Sequence, residues 1–152
     1  MIPVHTKYST AETFIFPDAI TLKLMLSGSQ TGGKLAVFED IVEPGIGPGR
    51  HIHHHQDETF FFLEGEFIAE VGGQMFEFKP GDVAFIPRGT VHAFKNVGST
   101  PGRLRYVFNP AETIETMFRD MYAKLQQNGD LSFEDMVAIS SKHGQEFVGP
   151  PL

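Results

Sequence analysis

Two short stretches of this chain concentrate the residue types that bind metals. The first carries Gly45, His51, His53, Glu58 and Gly65, and the second carries Gly81, Pro87, Gly89, His92 and Asn96. Three imidazoles and a carboxylate are enough to hold one divalent transition metal with positions left open for a substrate. The chain has no Cys, so ligation must come from nitrogen and oxygen, which argues against a closed structural zinc site. This donor set suits Fe, Mn, Ni, Co, Cu or Zn and separates them weakly. Its affinity should fall in acid as the imidazoles take up protons.

Local geometry supports the first stretch. If residues 50–63 form a hairpin with 54–57 as a four-residue loop, His53 and Glu58 oppose each other with Cβ atoms about 4.5–5.5 Å apart. His51, two residues earlier, emerges on the same face, opposite Phe60. A two-residue Gln56-Asp57 turn would oppose His55 and Glu58 instead, but such turns favour Gly or Asn at positive φ. The longer loop is preferred, and it leaves His54 and His55 at the rim. His92 starts a strand after the bend at Pro87 and Gly89, with Phe94 and Asn96 on its face. Nothing local sets that strand beside the first.

These residues must be positioned by short strands. Residues 1–19 are irregular apart from a possible edge strand at Thr13–Phe16, ended by Pro17. From 20 to 108 the chain reads as a series of strands separated by Gly and Pro, the pattern of an all-β sandwich or barrel. The candidates are 21–26, 35–42, 50–53, 58–63, 66–71, 74–78, 83–86, 92–96 and 104–108, with Gly72-Gly73 as a tight hairpin turn. Residues 109–152 read as a helical extension. Asn109-Pro110-Ala111-Glu112 predicts a helix start, with Ile114, Met117, Phe118, Met121, Tyr122 and Leu125 on one face. Ser132 and Asp135 open a second helix that Gly144 stops.

The 152 residues fit one domain, and 41% hydrophobic with 20% charged residues is ordinary for a globular protein. A net charge of −7 with no basic cluster argues against nucleic acid. No apolar run reaches the length of a membrane helix, and no signal peptide is evident, so a cytoplasmic protein is expected. Phe is abundant at 15 residues against three Tyr and no Trp. Phe60, Phe62 and Phe94 share faces with the histidines and the glutamate, so they are expected to line an apolar substrate pocket. Phe61 and Leu63 point to the other face, and a homodimer is one way to cover it.

The spacing G-x5-H-x-H-x4-E-x6-G is met by Gly45, His51, His53, Glu58 and Gly65, and G-x5-P-x-G-x2-H-x3-N by Gly81, Pro87, Gly89, His92 and Asn96. These resemble the two motifs of the cupin superfamily. Gln56-Asp57-Glu58-Thr59-Phe60 and Gly89-Thr90-Val91-His92 add a similarity to small single-domain cupins likened to quercetin 2,3-dioxygenases. The resemblance implies an all-β double-stranded β-helix, or jelly-roll barrel, followed by two C-terminal α-helices. It brings His92 to the metal and maps ligation onto His51, His53, Glu58 and His92. It further implies a dioxygenase acting on a small hydroxylated aromatic or dicarbonyl compound, with Glu58 as ligand and proton acceptor. An isomerase, decarboxylase or lyase using the metal as Lewis acid, and a non-catalytic binding module, remain alternatives on the same fold.

Overall fold

The computed structural model describes residues 2–152. Eleven strands and two helices follow one another as β1 (Glu12–Phe16), β2 (Ile20–Leu26), β3 (Ala36–Val42), β4 (Arg50–His53), β5 (Asp57–Glu64), β6 (Phe67–Val71), β7 (Gln74–Phe78), β8 (Val83–Ile86), β9 (His92–Asn96), β10 (Gly102–Asn109), α1 (Ile114–Asn128), α2 (Phe133–Ser141) and β11 (Gln145–Gly149). They build two facing sheets, ordered β1-β2-β3-β10-β5-β8 and β11-β4-β9-β6-β7. The result is an antiparallel jelly roll whose two sheets are not hydrogen-bonded into a closed barrel.

Alternation decides which side chains meet between the sheets. On β10, Leu104, Tyr106 and Phe108 are buried, while Arg103, Arg105 and Val107 between them are only partly covered. On β5 the same period buries Glu58, Phe60 and Phe62. Fully buried rings of Phe38, Phe60, Phe62, Phe67 and Phe108 form the centre of the core. Gly72 and Gly73, both at positive φ (59° and 81°), make the expected tight turn between β6 and β7.

Three expectations need correction. First, β4 and β5 are not a hairpin: β4 lies in the five-stranded sheet and β5 in the six-stranded one. Both sides of β4 are already taken, by β9 (His51 opposite His92) and by β11 (His53 opposite Gln145). Both sides of β5 are likewise paired, by β10 and β8. The segment 54–56 therefore carries the chain across the sandwich, and His51 faces His92 in the ladder rather than Phe60.

Second, the helix does not start at Asn109. That residue still pairs with Asp57 at the end of β10, Glu112 sits at a φ of 45°, and α1 begins at Ile114 after Thr113. Third, the C-terminal extension is not wholly helical. Its β11 adds to β4 at the edge of the ligand-bearing sheet.

The two helices form where expected otherwise. Gly129 closes α1 in the left-handed region, its N–H donating to Leu125 O at 2.8 Å. Ser132 and Asp135 make a reciprocal capping box at the start of α2. Tyr122 of α1 packs edge-on to Phe14 and Phe16 of β1, at 5.3 and 5.9 Å between ring centroids. Phe133 of α2 meets Phe147 of β11 at 5.3 Å. The helix pair thus covers the open side between edge strands β1 and β11. No helix among the described residues is long and apolar enough to cross a membrane.

Candidate metal centre

His51 and His53 project inward from β4, and His92 projects inward from the neighbouring β9. Glu58 comes from β5 on the opposite sheet, held in register between Phe108 and Ile86. The His51 and His92 rings lie 4.3 Å apart between centroids. A single Glu58 oxygen, Oε2, stands 2.9 Å from His92 Nε2 and 3.5 Å from His53 Nε2. One ligand atom from each of the four residues lies within 4.8 Å of the others, and all four side chains are buried.

Backbone carbonyls fix two of the imidazoles. His51 Nδ1 is 2.8 Å from Gly49 O, and His92 Nδ1 is 2.9 Å from Thr90 O. A carbonyl only accepts, so in each ring Nδ1 carries the proton. When the ring is neutral, Nε2 then presents its lone pair to the cluster, as metal-ligating histidines do. The turn before β9 is tied to β4 as well, since the Gly89 N–H donates to His53 O at 2.8 Å. Gly89 adopts a φ of 79° there, which a side chain would resist.

The electrostatics match a ligand set. Burial pulls the His51 imidazole down to about 3, and the neighbouring His92 adds to the drop. Burial, with His51 and His92 nearby, holds His53 well below the usual imidazole range. Both are therefore neutral and ready to ligate at neutral pH. Burial raises the Glu58 carboxyl, partly offset by its hydrogen bond to His92. For His92 burial acts downward, but the bond and charge of Glu58 outweigh it and leave the imidazole raised. Three convergent imidazole nitrogens and a carboxylate, all buried, fit a divalent transition metal.

The cluster opens onto a cavity of about 410 Å³. Phe60 and Phe94, both expected there, form part of its wall. Phe62 does not. It sits behind Phe60, stacked on Phe78 at 4.3 Å and packed against Phe67 at 5.4 Å. Phe60 and Phe94 meet edge-on at 5.6 Å across the gap between the sheets and end the cavity before it reaches Phe62.

The rim histidines stay out of the cluster: His54 is exposed and pairs with Glu146 at 2.8 Å. Arg50, Arg88 and Arg105 are all engaged, with Glu70, Asp57 and Glu39 respectively. Several wall residues come from parts of the chain that the motifs do not cover. Met117 and Met121 of α1, and Gln145 and Phe147 of β11, belong to the extension, and Asp40 and Tyr106 to β3 and β10. The inward alternation Phe38-x-Asp40-x-Val42 was the available signal for Asp40, and Gln145-x-Phe147 for β11.

Residues 38–108 match the cupin domain family. An uncharacterized protein of Methanocaldococcus jannaschii is 30% identical over 99 residues, which is 64% of this chain and 79% of that protein. The chain belongs to the cupin superfamily. Quercetin 2,3-dioxygenase of Bacillus subtilis is a more distant cupin relative, 29% identical over 73 residues, or 48% of this chain and 22% of the enzyme. A solved structure described as a predicted oxalate decarboxylase, from Thermotoga maritima, shares the fold with a TM-score of 0.66 at 22% identity, covering 70% of this chain and 99% of that one. In this cupin all ten motif positions are present, and the four that bear ligand atoms converge.

Proposed function

We propose that this cupin is a metal-dependent dioxygenase of a small hydroxylated aromatic or dicarbonyl compound. The observation that carries the reading is a complete, buried three-His one-Glu cluster exposed to an apolar cavity large enough for such a compound. The similarity to quercetin 2,3-dioxygenase over 73 residues supports the same class.

His51, His53, Glu58 and His92 would hold the ion. A bound divalent metal supplies Lewis acidity and open positions for oxygen ligands. The protein's own part is then defined. Glu58, raised by its burial, accepts the proton of the substrate hydroxyl at its carboxylate. Phe60, Phe94, Met121 and Phe147 enclose the rings and exclude water.

The test is oxygen uptake by protein purified without an affinity tag and loaded in turn with Fe, Mn, Co, Ni, Cu or Zn. Flavonols and 1,3-diketones are the substrates to offer. Uptake with at least one metal is expected. Turnover without oxygen uptake would move the protein to the Lewis-acid isomerase, decarboxylase or lyase class. Metal binding without any turnover would leave a binding module.

We also propose a homodimer. Phe61, Val83 and Phe85 are 38%, 54% and 61% exposed. Phe61 and Val83 are cross-strand partners at the β8 end of the six-stranded sheet, the end opposite to the helices. A second copy of the chain is the proposed cover for this face. Sedimentation should report twice the chain mass, and Phe85→Glu should return it to one. A monomeric wild-type protein would overturn the proposal.

A further inference from the structure

The cavity holds a second polar locus that the metal cluster does not use. Asp40 and Tyr106 both line it, at 3% and 4% exposure. Tyr106 Oη donates to Asp40 Oδ1 at 3.0 Å. Among the described residues no cation pairs with Asp40, and its Oδ2 makes no hydrogen bond within the protein. The nearby cations Arg103 and Arg105 are both taken by Glu39, the next residue on β3, whose side chain points the other way.

A carboxyl in such surroundings resists ionisation. Burial pushes Asp40 well above the usual carboxylate range. The Tyr106 hydroxyl draws it partly back, and the charges of Glu58 and Glu39 add to the rise. Asp40 therefore holds its proton to higher pH than an ordinary carboxyl, and in that form its O–H can donate. Asp40 lines the cavity, so a ligand oxygen there can take its hydrogen bond.

Register gives its distance from the cluster. On β10, Phe108 is opposite Glu58 and Leu104 is opposite Asp40. Four residues of strand separate the two rows by about 13 Å of backbone, at about 3.3 Å per residue. A flat molecule of two or three joined rings reaches along most of that span. The floor between is apolar, with Phe60 opposite Tyr106 and Phe108 opposite Glu58.

We propose that Asp40 and Tyr106 are a second substrate anchor, the Asp40 carboxyl donating a hydrogen bond to a carbonyl or phenolic oxygen at the end of a bicyclic or tricyclic aromatic substrate remote from the metal cluster. The inference rests on the metal-dependent reading above and deepens it by naming the substrate class: a flat, elongated aromatic with oxygen functions at both ends.

Two probes test it by calorimetry on nickel-loaded protein without oxygen. One is 3-hydroxyflavone, which has a chelating hydroxyketone and no remote oxygen. The other is quercetin, which adds hydroxyls at the far ends. Quercetin should bind wild-type protein at least about tenfold more tightly. Asp40→Leu should erase that margin and leave 3-hydroxyflavone affinity unchanged. Asp40→Asn should keep most of it, since the amide still accepts from Tyr106 and still donates. If Asp40→Leu does not fold, Tyr106→Phe, which removes the orienting hydroxyl, should narrow the margin at least threefold. Equal affinities in the wild type, equal losses for both probes in Asp40→Leu, or an unchanged margin in Tyr106→Phe would overturn the anchor and leave the metal centre standing. Failure of both probes to bind loaded wild-type protein would overturn the flavonol-type reading itself, and the anchor with it.

Discussion

The two sheets bring different chemistry to one cavity. The five-stranded sheet contributes the imidazoles of His51, His53 and His92, while the six-stranded sheet contributes the acids Glu58, Asp40 and Tyr106. The nitrogen donors sit within one hydrogen-bonded ladder, with His51 directly opposite His92. Main-chain pairing therefore sets their mutual spacing. Glu58 arrives across the sandwich, and its distance depends on side chains packed between the layers, such as Phe108 against His53 at 4.9 Å. Half of the site is rigid by backbone, and the other half is positioned by packing.

Substitutions can break that contrast. Glu58→Gln removes the only carboxylate that the acidic sheet gives the cluster while keeping its volume. Turnover of any accepted substrate should fall about 100- to 10,000-fold, measured as kcat with metal content held saturating. His92→Ala strikes the ladder instead. Metal affinity should drop more than about 100-fold, beyond what losing an outer-shell partner costs. The rise in Tm on metal addition to wild type, worth about 2.7 kcal/mol at a hundred times Kd, should vanish with it. Retained stoichiometric metal in this variant would remove His92 from the ligand set.

Proton linkage separates the halves more gently. His51, at about 3 when folded, and His53, also lowered, bind protons near 6.5 once unfolded. The unfolded chain therefore takes up more protons below pH 6.5, and stability in the metal-free protein should decline as pH falls from about 6.5 towards 3. His92, raised by Glu58, acts with the opposite sign, its contribution present below 6.5 and lost as pH rises through its folded value. Urea midpoints of metal-free protein across this range should show the decline, and His51→Phe should flatten it. The smallest effect belongs to the rim. His54→Ala removes an exposed ion pair with Glu146, so stability should shift by less than about 1 kcal/mol. Metal affinity, read by titration, should stay put.

The same contrast explains what the sequence disclosed. Strand positions were legible because alternation and Gly/Pro punctuation are local, and β8 at Val83–Ile86 and β9 at His92–Asn96 coincide with their expected bounds. The four converging residues were legible because the two motifs have fixed internal spacing. Pairing was not. The hairpin reading of 50–63 assumed that strands adjacent in sequence pair with each other, whereas β4 finds its neighbours about forty and ninety residues away, in β9 and β11. For the same reason Phe62 shared a face with Glu58 yet lies outside the cavity: period-2 alternation gives a side but no depth. Strand β11 was hidden by its place after a helical pattern and by its Gly-Pro-Pro surroundings.

One detail of the cluster constrains how this protein can change. The groups that hold the His51 and His92 rings in their ligating tautomer are the carbonyls of Gly49 and Thr90. No codon change deletes a main-chain oxygen. A lineage can lose a ligand in one mutational step, but it cannot retune these two rings that way; it must reroute the turns that precede each histidine. Single substitutions are therefore expected to diversify the wall of the cavity sooner than the aim of its imidazoles.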